Sequence, residues 1–421
     1  MAEIPILFIL AGLAAYTVLA GADFGAGLWT LLAGGGRADR AAIRDHARHA
    51  IGPVWEANHV WLILVLVVCW TAYPVAFGSI TSTLSIPLFI AAIGIILRGA
   101  SYALRGQLEA ARGQHPVENL FALSSILTPF ALGTVVGGIA TGRVPVGNAA
   151  GDPITSWLNP TSVVIGALAV ATGVYLAAVY LAADAHRLGE RTLEQDFRTR
   201  ALISGLCAGA LALAALVVVR YDAPALFGGL TSGAGAAMVG VSAAAGLTTL
   251  FLVWRHHFGP ARASAGLAVA AIVAGWALAQ QPRFLPGLTI DQAAASHSTL
   301  LALIISVAVG ATVLVPSLIL LFRLFLRGHL DPAATPDATT LTPPHAPRKG
   351  QTRLLAAFAA ATFVIGVGVT VFAGPGWALI LGVICLFACA ISTFGLVTAE
   401  PDQKISSATS SQSSADQVHG R

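Results

Sequence analysis

The chain has few charged side chains: they make up 10% of its 421 residues, whereas 56% of the residues are hydrophobic and the mean hydropathy is +0.80. Soluble domains carry about 25% charged residues, because their surface must be solvated by water. The composition therefore excludes an ordinary soluble domain and indicates a polytopic membrane protein. The net charge of +4 is modest and the basic residues are scattered over predicted loops, so nothing indicates nucleic acid binding.

Several catalytic signatures are also missing. The chain contains no Walker motif, no Gly-x-Ser-x-Gly elbow and no His-Glu-x-x-His pattern, so nucleotide and hydrolytic chemistry have no recognisable site. No signal peptide is predicted, because the first residues lack its positive region. The cysteines form no paired CxxC motif and we interpret them as small packing residues of apolar segments; they are Cys69, Cys207, Cys385 and Cys389.

Histidines are absent from the centres of the predicted spans. His46 and His49 fall in a predicted loop, and His59 lies near one end of a span. A haem in a membrane bundle needs histidines that face each other deep inside the spans. The sequence therefore disfavours a haem held by this chain alone, and it indicates no other metal site.

Long apolar segments are abundant and predict an all-α polytopic protein with about 11 spans of ~20 residues each. Prolines lie well inside three of them, at Pro87, Pro129 and Pro316, where neighbouring helices can satisfy the freed carbonyl groups. The predicted spans cover residues 4–32, 54–73, 78–104, 119–141, 161–184, 201–219, 235–254, 263–281, 299–325, 354–373 and 377–397.

The charge of the loops predicts the orientation. With the N-terminus outside, only Arg143, Arg220 and Arg283 of the 23 basic residues fall in outer loops, as the positive-inside rule requires. The C-terminus is then cytoplasmic. The domain prediction is a membrane core over residues 1–329, a cytoplasmic linker over 330–350, an extra transmembrane hairpin over 351–398 and a disordered cytoplasmic tail over 399–421.

The segment Ile51–Ile63 places a carboxylate, an amide, an imidazole and two indoles at the start of a predicted span. A charged group at membrane depth costs roughly 2.5–3.5 kcal/mol on insertion scales, so it is rarely kept there unless it is paired or handles charge. Glu56 and His59 share one helix face and could pass a proton. Alternatively, Glu56 is an ordinary interfacial residue of the first helical turn. Burial favours its neutral form and the helix N-terminus favours its anion, and the sequence does not decide between them.

Four other polar or aromatic residues are candidates. Asp23 lies between glycines late in the first span; it is either a proton relay or inter-helix anchor, or a structural residue paired with a nearby backbone or hydroxyl group. Trp55 is interpreted as an aromatic residue of the membrane interface, and Trp61 as packing against a partner or a lipid-like ligand. Arg98 ends an apolar run, and we expect its side chain to extend to the cytoplasmic surface.

Two motifs stand out in the first spans: Gly21-x-Asp23-Phe24-Gly25-x-Gly27, and Gly52-Pro53-Val54-Trp55-Glu56-x-Asn58-His59-Val60-Trp61-Leu62-Ile63. Together with Pro282-Arg283-Phe284-Leu285-Pro286 and Val315-Pro316, they resemble subunit II of the cytochrome bd-type quinol oxidases. The resemblance extends from residue 1 to about residue 327. Two departures are a histidine at His59, where some members have glutamine, and the last two predicted spans, which exceed the usual family length.

The resemblance implies a nine-helix subunit of two four-helix bundles plus a peripheral helix, to which this chain adds the C-terminal hairpin. It implies a partner, subunit I, that carries haem b and haem d, oxidises quinol and reduces dioxygen to water. This subunit then holds no haem and contributes a proton path from the cytoplasm, with Glu56 as its entry group and Asp23 as the matching first-helix aspartate. A small accessory subunit and membrane lipid are further candidate partners, and a structural quinone or lipid bound by this chain stays open.

Two other hypotheses stand beside this one. A proton-coupled secondary transporter would also have many spans, broken helices and a carboxylate near one membrane surface. A scaffold subunit without a proton role is the third hypothesis. Haem absorption and quinol-dependent oxygen uptake by the purified complex would distinguish an oxidase from a transporter, and replacement of Glu56 would distinguish a proton role from a scaffold.

Overall fold

A computed structural model of the chain describes residues 1–34, 40–51, 54–108, 114–326 and 349–372, with a few positions between 381 and 392. Within these ranges, the side chains of residues 48–57, 102–119 and 321–356 are outside the description. The chain divides into two compact units, Met1–Ser317 and Leu318–Arg421. Nearly all of the predicted linker at 330–350 and the whole predicted tail at 399–421 lie outside the described residues.

The described chain is mostly helical, with an irregular connection over residues 141–159 and a short antiparallel hairpin in which Arg283 pairs with Thr289. The elements in chain order are α1 (Ile4–Leu31), α2 (Arg40–Ile51), α3 (Val54–Ala72), α4 (Pro74–Thr83), α5 (Ser85–Leu108), α6 (Gln114–Ala140), α7 (Pro160–Leu188), α8 (Arg191–Asp222), α9 (Pro224–Leu230), α10 (Gly233–Trp254), α11 (Phe258–Gln280), β1 (Arg283–Leu285), β2 (Leu288–Thr289), α12 (Ile290–Ala293), α13 (His297–Leu326) and α14 (Lys349–Phe372).

Seven of the described helices are long and apolar enough to cross a membrane, and the count becomes eight if the bent pair α4 and α5 forms one span. The all-α, many-span prediction is therefore confirmed, whereas the number of eleven is not. The described apolar parts of α3 and α14 are shorter, at Asn58–Ala72 and Ala357–Gly366. Most of the predicted span at 377–397 lies outside the described residues. Pro129 and Pro316 lie inside α6 and α13, as predicted.

Two local predictions need correction. The predicted span at 78–104 is not one straight helix: it comprises parts of α4 and α5, which bend by 82° relative to each other. Pro87 is therefore not in a helix interior but in the first turn of α5, where the missing N–H of proline leaves no helical bond unmade. The predicted loop with His46 and His49 is helix α2. His46 is buried, and its Nε2 lies 3.0 Å from the carbonyl oxygen of Leu181 in α7. The apolar face of α2, with Ile43 fully buried, explains why this arginine-rich segment is helical.

Helix α7 packs against α1, α6, α8 and α11, and small residues make the crossing with α1 close. A Cβ atom at Gly25 would collide with the carbonyl oxygen of Gly173 in α7, so the two backbones are in direct contact. A side chain at either crossing point would push the helices apart. The glycines of the first motif therefore hold the end of α1, including Asp23, against the remainder of the first unit.

Candidate functional site

A buried ion pair joins three helices near the end of α1. The Nη2 atom of Arg98, on α5, lies 2.7 Å from Oδ1 of Asp23 and also donates to the Asp23 backbone carbonyl at 2.9 Å. The Nη1 atom of Arg98 donates to the hydroxyl of Ser125, on α6, at 2.7 Å. Arg98 and Asp23 are only 1% and 7% exposed, so the charges are compensated inside the protein rather than by water.

The surroundings of the guanidinium explain why it is tolerated there. Its carbon lies 4.2 Å from the ring centroid of Phe121 and 4.8 Å from that of Phe24, and aromatic faces attract cations, most strongly where water is excluded. Gly27 leaves the necessary room, since a Cβ atom there would lie 3.1 Å from Nη1 of Arg98 and would collide with Ser125 Oγ. The motif glycine thus has a steric role beside the ion pair.

The expectation that Arg98 extends to the cytoplasmic surface was wrong. Snorkelling assumes that water is the best partner within reach. Here a carboxylate, a hydroxyl, a backbone carbonyl and two aromatic rings replace it. A buried ion pair holds only when such extra hydrogen bonds offset its desolvation.

Asp23 is an inter-helix anchor in this structure, one of the roles that the sequence leaves open. Its partner is the guanidinium of Arg98, and this pairing was not predicted from the sequence. The second carboxylate oxygen, Oδ2, is buried and accepts no hydrogen bond from the described residues. Asp23 therefore combines an anchored oxygen with one that can still accept a hydrogen bond.

The second motif packs along α1. The ring of His59 lies edge-on to Tyr16 and Phe24, at centroid distances of 6.0 and 6.5 Å. Trp61 is partly buried against the cluster of Tyr16, Ala20 and Phe24, so it packs on α1. Asn58 is buried, and its Oδ1 accepts no hydrogen bond from any described residue.

Glu56 and Trp55 lie in α3, but their side chains are outside the described residues. The backbone contacts between α1 and α3 nevertheless show which residues of α1 lie beside them. A Cβ atom at Gly12 would lie 3.3 Å from the carbonyl oxygen of Trp61, and the ring of Tyr16 contacts that of His59. The two helices are therefore antiparallel. Continuing this antiparallel register by about one turn places the Glu56 backbone beside the stretch of α1 from Ala20 to Asp23. The Glu56 backbone therefore lies near the level of Asp23, about two turns before α1 ends.

A second polar cluster, which the sequence analysis missed, links three helix ends. The carboxylate of Glu194 lies 3.0 Å from Nδ1 of His186 and 2.9 Å from Nδ1 of His256. Each histidine lies at a helix end, where favourable placement near the negative helix terminus is by itself a sufficient explanation. No spacing rule relates positions 186, 194 and 256. The available signal was only that all three lie at helix ends on the same predicted side of the membrane.

The comparisons with known proteins agree with one another. Residues 1–325 match the family model for cytochrome bd terminal oxidase subunit II. The cytochrome bd ubiquinol oxidase subunit 2 of Bacillus subtilis (strain 168) is 28% identical over 117 residues, which cover 28% of this chain and 33% of the relative. The cytochrome bd-I ubiquinol oxidase subunit 2 of Escherichia coli (strain K12) is 24% identical over 127 residues, which cover 30% of this chain and 32% of the relative.

Structural comparison extends the similarity. A chain of the bd oxidase from Geobacillus thermodenitrificans superposes with a TM-score of 0.64 at 13% sequence identity, covering 77% of this chain and 98% of that chain. At this identity the likeness establishes the fold. In sequence, the chain spans about a third of the length of the two curated relatives.

Proposed function

Because the chain belongs to the cytochrome bd terminal oxidase subunit II family, we propose that it is the non-haem subunit of a bd-type terminal quinol oxidase. It supports a haem-bearing subunit I, in which quinol is oxidised and dioxygen is reduced to water, and it supplies protons from the cytoplasm. The core over residues 1–329 has the family's two four-helix bundles and peripheral helix. It lies in the bacterial inner membrane with its N-terminus outside and its C-terminus cytoplasmic.

Haem b and haem d belong to the partner in this proposal, as the resemblance to the family implies. His59 packs against Tyr16 and Phe24, and Nε2 of His46 is bonded to the carbonyl group of Leu181. In these positions each ring contributes to the packing between helices of this chain.

The observation that carries the proton role is the group of buried polar residues between α1 and α3. Glu56 receives a proton from the cytoplasm, and His59 lies one turn further along the same helix face. Asp23 lies at the level of Glu56 and offers its oxygen Oδ2. A path of this kind is needed because ionised groups enter hydrocarbon only at high cost. Uptake of these protons on the cytoplasmic side, with release of quinol protons outside, separates charge without pumping.

Replacement of Glu56 by glutamine tests the proton role. Glutamine keeps the size of the side chain but cannot exchange a proton. We expect quinol-dependent oxygen uptake by the purified complex to fall roughly tenfold, a modest share of the 10²–10⁴-fold that positioned acids and bases contribute. Glu56→Asp, which keeps the carboxylate, should retain most of the activity.

The two rival hypotheses predict different results. Unchanged oxygen uptake in Glu56→Gln, with normal assembly and haem absorption, would leave this subunit as a scaffold. A purified complex without haem absorption or oxygen uptake would instead support a proton-coupled transporter. Both measurements can be made on the same preparation.

Deletion of residues 330–421 tests the proposed domain boundary. The family similarity ends at residue 325, so the truncated chain should still assemble with subunit I and show an unchanged haem spectrum. The measurement is haem absorbance per mole of purified complex, with the full-length chain as control. Loss of assembly would show that the extra hairpin is an integral part of the subunit. The hairpin would then substitute for a small accessory subunit or contact a lipid.

A further inference from the structure

Tyr16 is a buried polar residue of the α1–α3 contact. It lies near the middle of α1, is 5% exposed and belongs to the cluster with Ala20 and Phe24. Its hydroxyl is buried and has no hydrogen-bond partner among the described residues. A buried hydroxyl without a partner costs about 1–3 kcal/mol, and phenylalanine would fill the same space without that cost. The hydroxyl therefore calls for a role other than packing.

The other buried polar atoms of this region lie on one side of Tyr16. His59 touches the tyrosine ring, and Asp23 lies two turns further along α1, about 10 Å away along the axis. Oδ2 of Asp23 and Oδ1 of Asn58 also accept no hydrogen bond from the part of the chain that is described. Buried polar atoms of this kind are satisfied by ordered water. A few water molecules could link these atoms to the tyrosine hydroxyl.

Beyond Tyr16, toward the N-terminus of α1, the two helices are in direct contact. A Cβ atom at Gly12 would lie 3.0 Å from Val65 Cγ2 and 3.3 Å from the carbonyl oxygen of Trp61. The space between α1 and α3 therefore closes one turn after Tyr16. The Tyr16 hydroxyl therefore ends this row of buried polar groups, near the middle of the membrane-spanning helix α1.

We propose that Tyr16 is a proton-relay residue that carries protons from the Asp23–His59 region to the middle of the membrane. This inference rests on the proposed proton role of the subunit and names a further residue of the same path. The phenol accepts a proton on its oxygen from water on the Asp23 side and releases its own proton to an acceptor group of subunit I, where protons are consumed as dioxygen is reduced to water. Rotation of the hydroxyl restores the starting state, so the tyrosine ends each transfer neutral and no net charge is left in the hydrocarbon region.

The test compares Tyr16→Phe with Tyr175→Phe in the assembled oxidase. Tyr175, on α7, is buried to the same degree, at 6% exposed, but its hydroxyl interacts with Thr249 on α10, so the same atom is removed from a part of the fold away from the α1–α3 contact. We expect Tyr16→Phe to slow oxygen uptake at least about threefold, well below the 10²–10⁴-fold effect of a directly reacting acid or base. The solvent deuterium isotope effect on uptake should increase. Tyr175→Phe should match the wild type in both measurements.

Glu56→Gln, measured in parallel, separates the two proposals. If Glu56→Gln is slow while Tyr16→Phe matches Tyr175→Phe, the relay role of Tyr16 is overturned and the proton role of the subunit stands. If Glu56→Gln is also normal, the proton role itself fails. A second measurement does not depend on activity: a high-resolution structure of the wild-type complex should show ordered water within hydrogen-bond distance of Tyr16 Oη. Purely apolar surroundings of that atom would overturn the inference even if Tyr16→Phe failed to assemble.

Discussion

Replacement of Arg98 by leucine is expected to abolish accumulation of the folded subunit. The change leaves the Asp23 carboxylate, 7% exposed, without its counter-charge, and removal of one partner of a buried ion pair costs about 3–5 kcal/mol. Domains are stable by only about 5–15 kcal/mol, so this loss is a large fraction of the total. The measurement is the yield of assembled complex and its thermal unfolding midpoint in detergent.

The double variant Asp23→Asn with Arg98→Leu identifies the cause. Once the carboxylate is neutral, loss of the guanidinium no longer strands a charge, so the double variant should be more stable than Arg98→Leu alone. Coupling of this kind is the signature of a direct interaction. If the two losses simply added, the ion pair would not be what holds the helices together.

Arg143→Leu is the control, because it removes a salt bridge that is more exposed to solvent. Arg143 Nη2 lies 2.7 Å from Asp222 Oδ1, the same distance as in the buried pair, but the arginine side chain is 34% exposed. Water screens such pairs, and exposed ones contribute only about 0–1 kcal/mol; we expect the upper end here, because two parallel hydrogen bonds join Arg143 to Asp222. The yield of this variant should therefore stay much closer to that of the wild type. A loss equal to that of Arg98→Leu would mean that burial does not determine the effect.

The membrane character and most spans could be predicted from sequence because hydropathy is a local property. A stretch of about 20 apolar residues must be helical in lipid, whatever it packs against. The bend between α4 and α5 was missed because both helices are apolar and hydropathy does not report direction. Helix α2 was missed for the opposite reason. It is rich in arginine, and its buried face is defined by contacts with α7 and α8, such as the packing of His46 against Phe197.

The sequence predicted which residues belong to the site, but it did not predict which of them contact each other. Asp23, His59 and Arg98 were all candidates, since polar groups in apolar segments are conspicuous. The Asp23–Arg98 contact joins residues 75 positions apart, and no periodicity relates helices that meet only in three dimensions. The cluster of Glu194 with two histidines was overlooked because polar residues at helix ends already have an adequate local explanation. Tyr16 was overlooked because tyrosine is ordinary in an apolar span until its hydroxyl is seen to lack a partner.

Replacement of Gly25 by alanine is expected to destabilise the subunit strongly although it adds one methyl group. That methyl group would collide with the backbone carbonyl of Gly173, which cannot rotate away as a side chain could. Overpacking typically costs about 1–3 kcal/mol, and we expect the upper part of this range. The same shift would move Asp23, two residues away, relative to Arg98. The thermal unfolding midpoint of the purified complex should therefore fall markedly.

Gly21→Ala is the matched control, one helical turn earlier on the same face of α1. A Cβ atom there would lie 3.6 Å from Leu176 Cδ1 and 3.8 Å from Gly173 Cα, which is ordinary van der Waals contact. Alanine also favours the helix by about 1 kcal/mol over glycine, so this variant should unfold at or above the wild-type temperature. The contrast isolates the backbone collision, because both changes add the same atom to the same helix. Equal behaviour of the two variants would show that the α1–α7 crossing can open at little cost, and the close approach would then not be what positions Asp23.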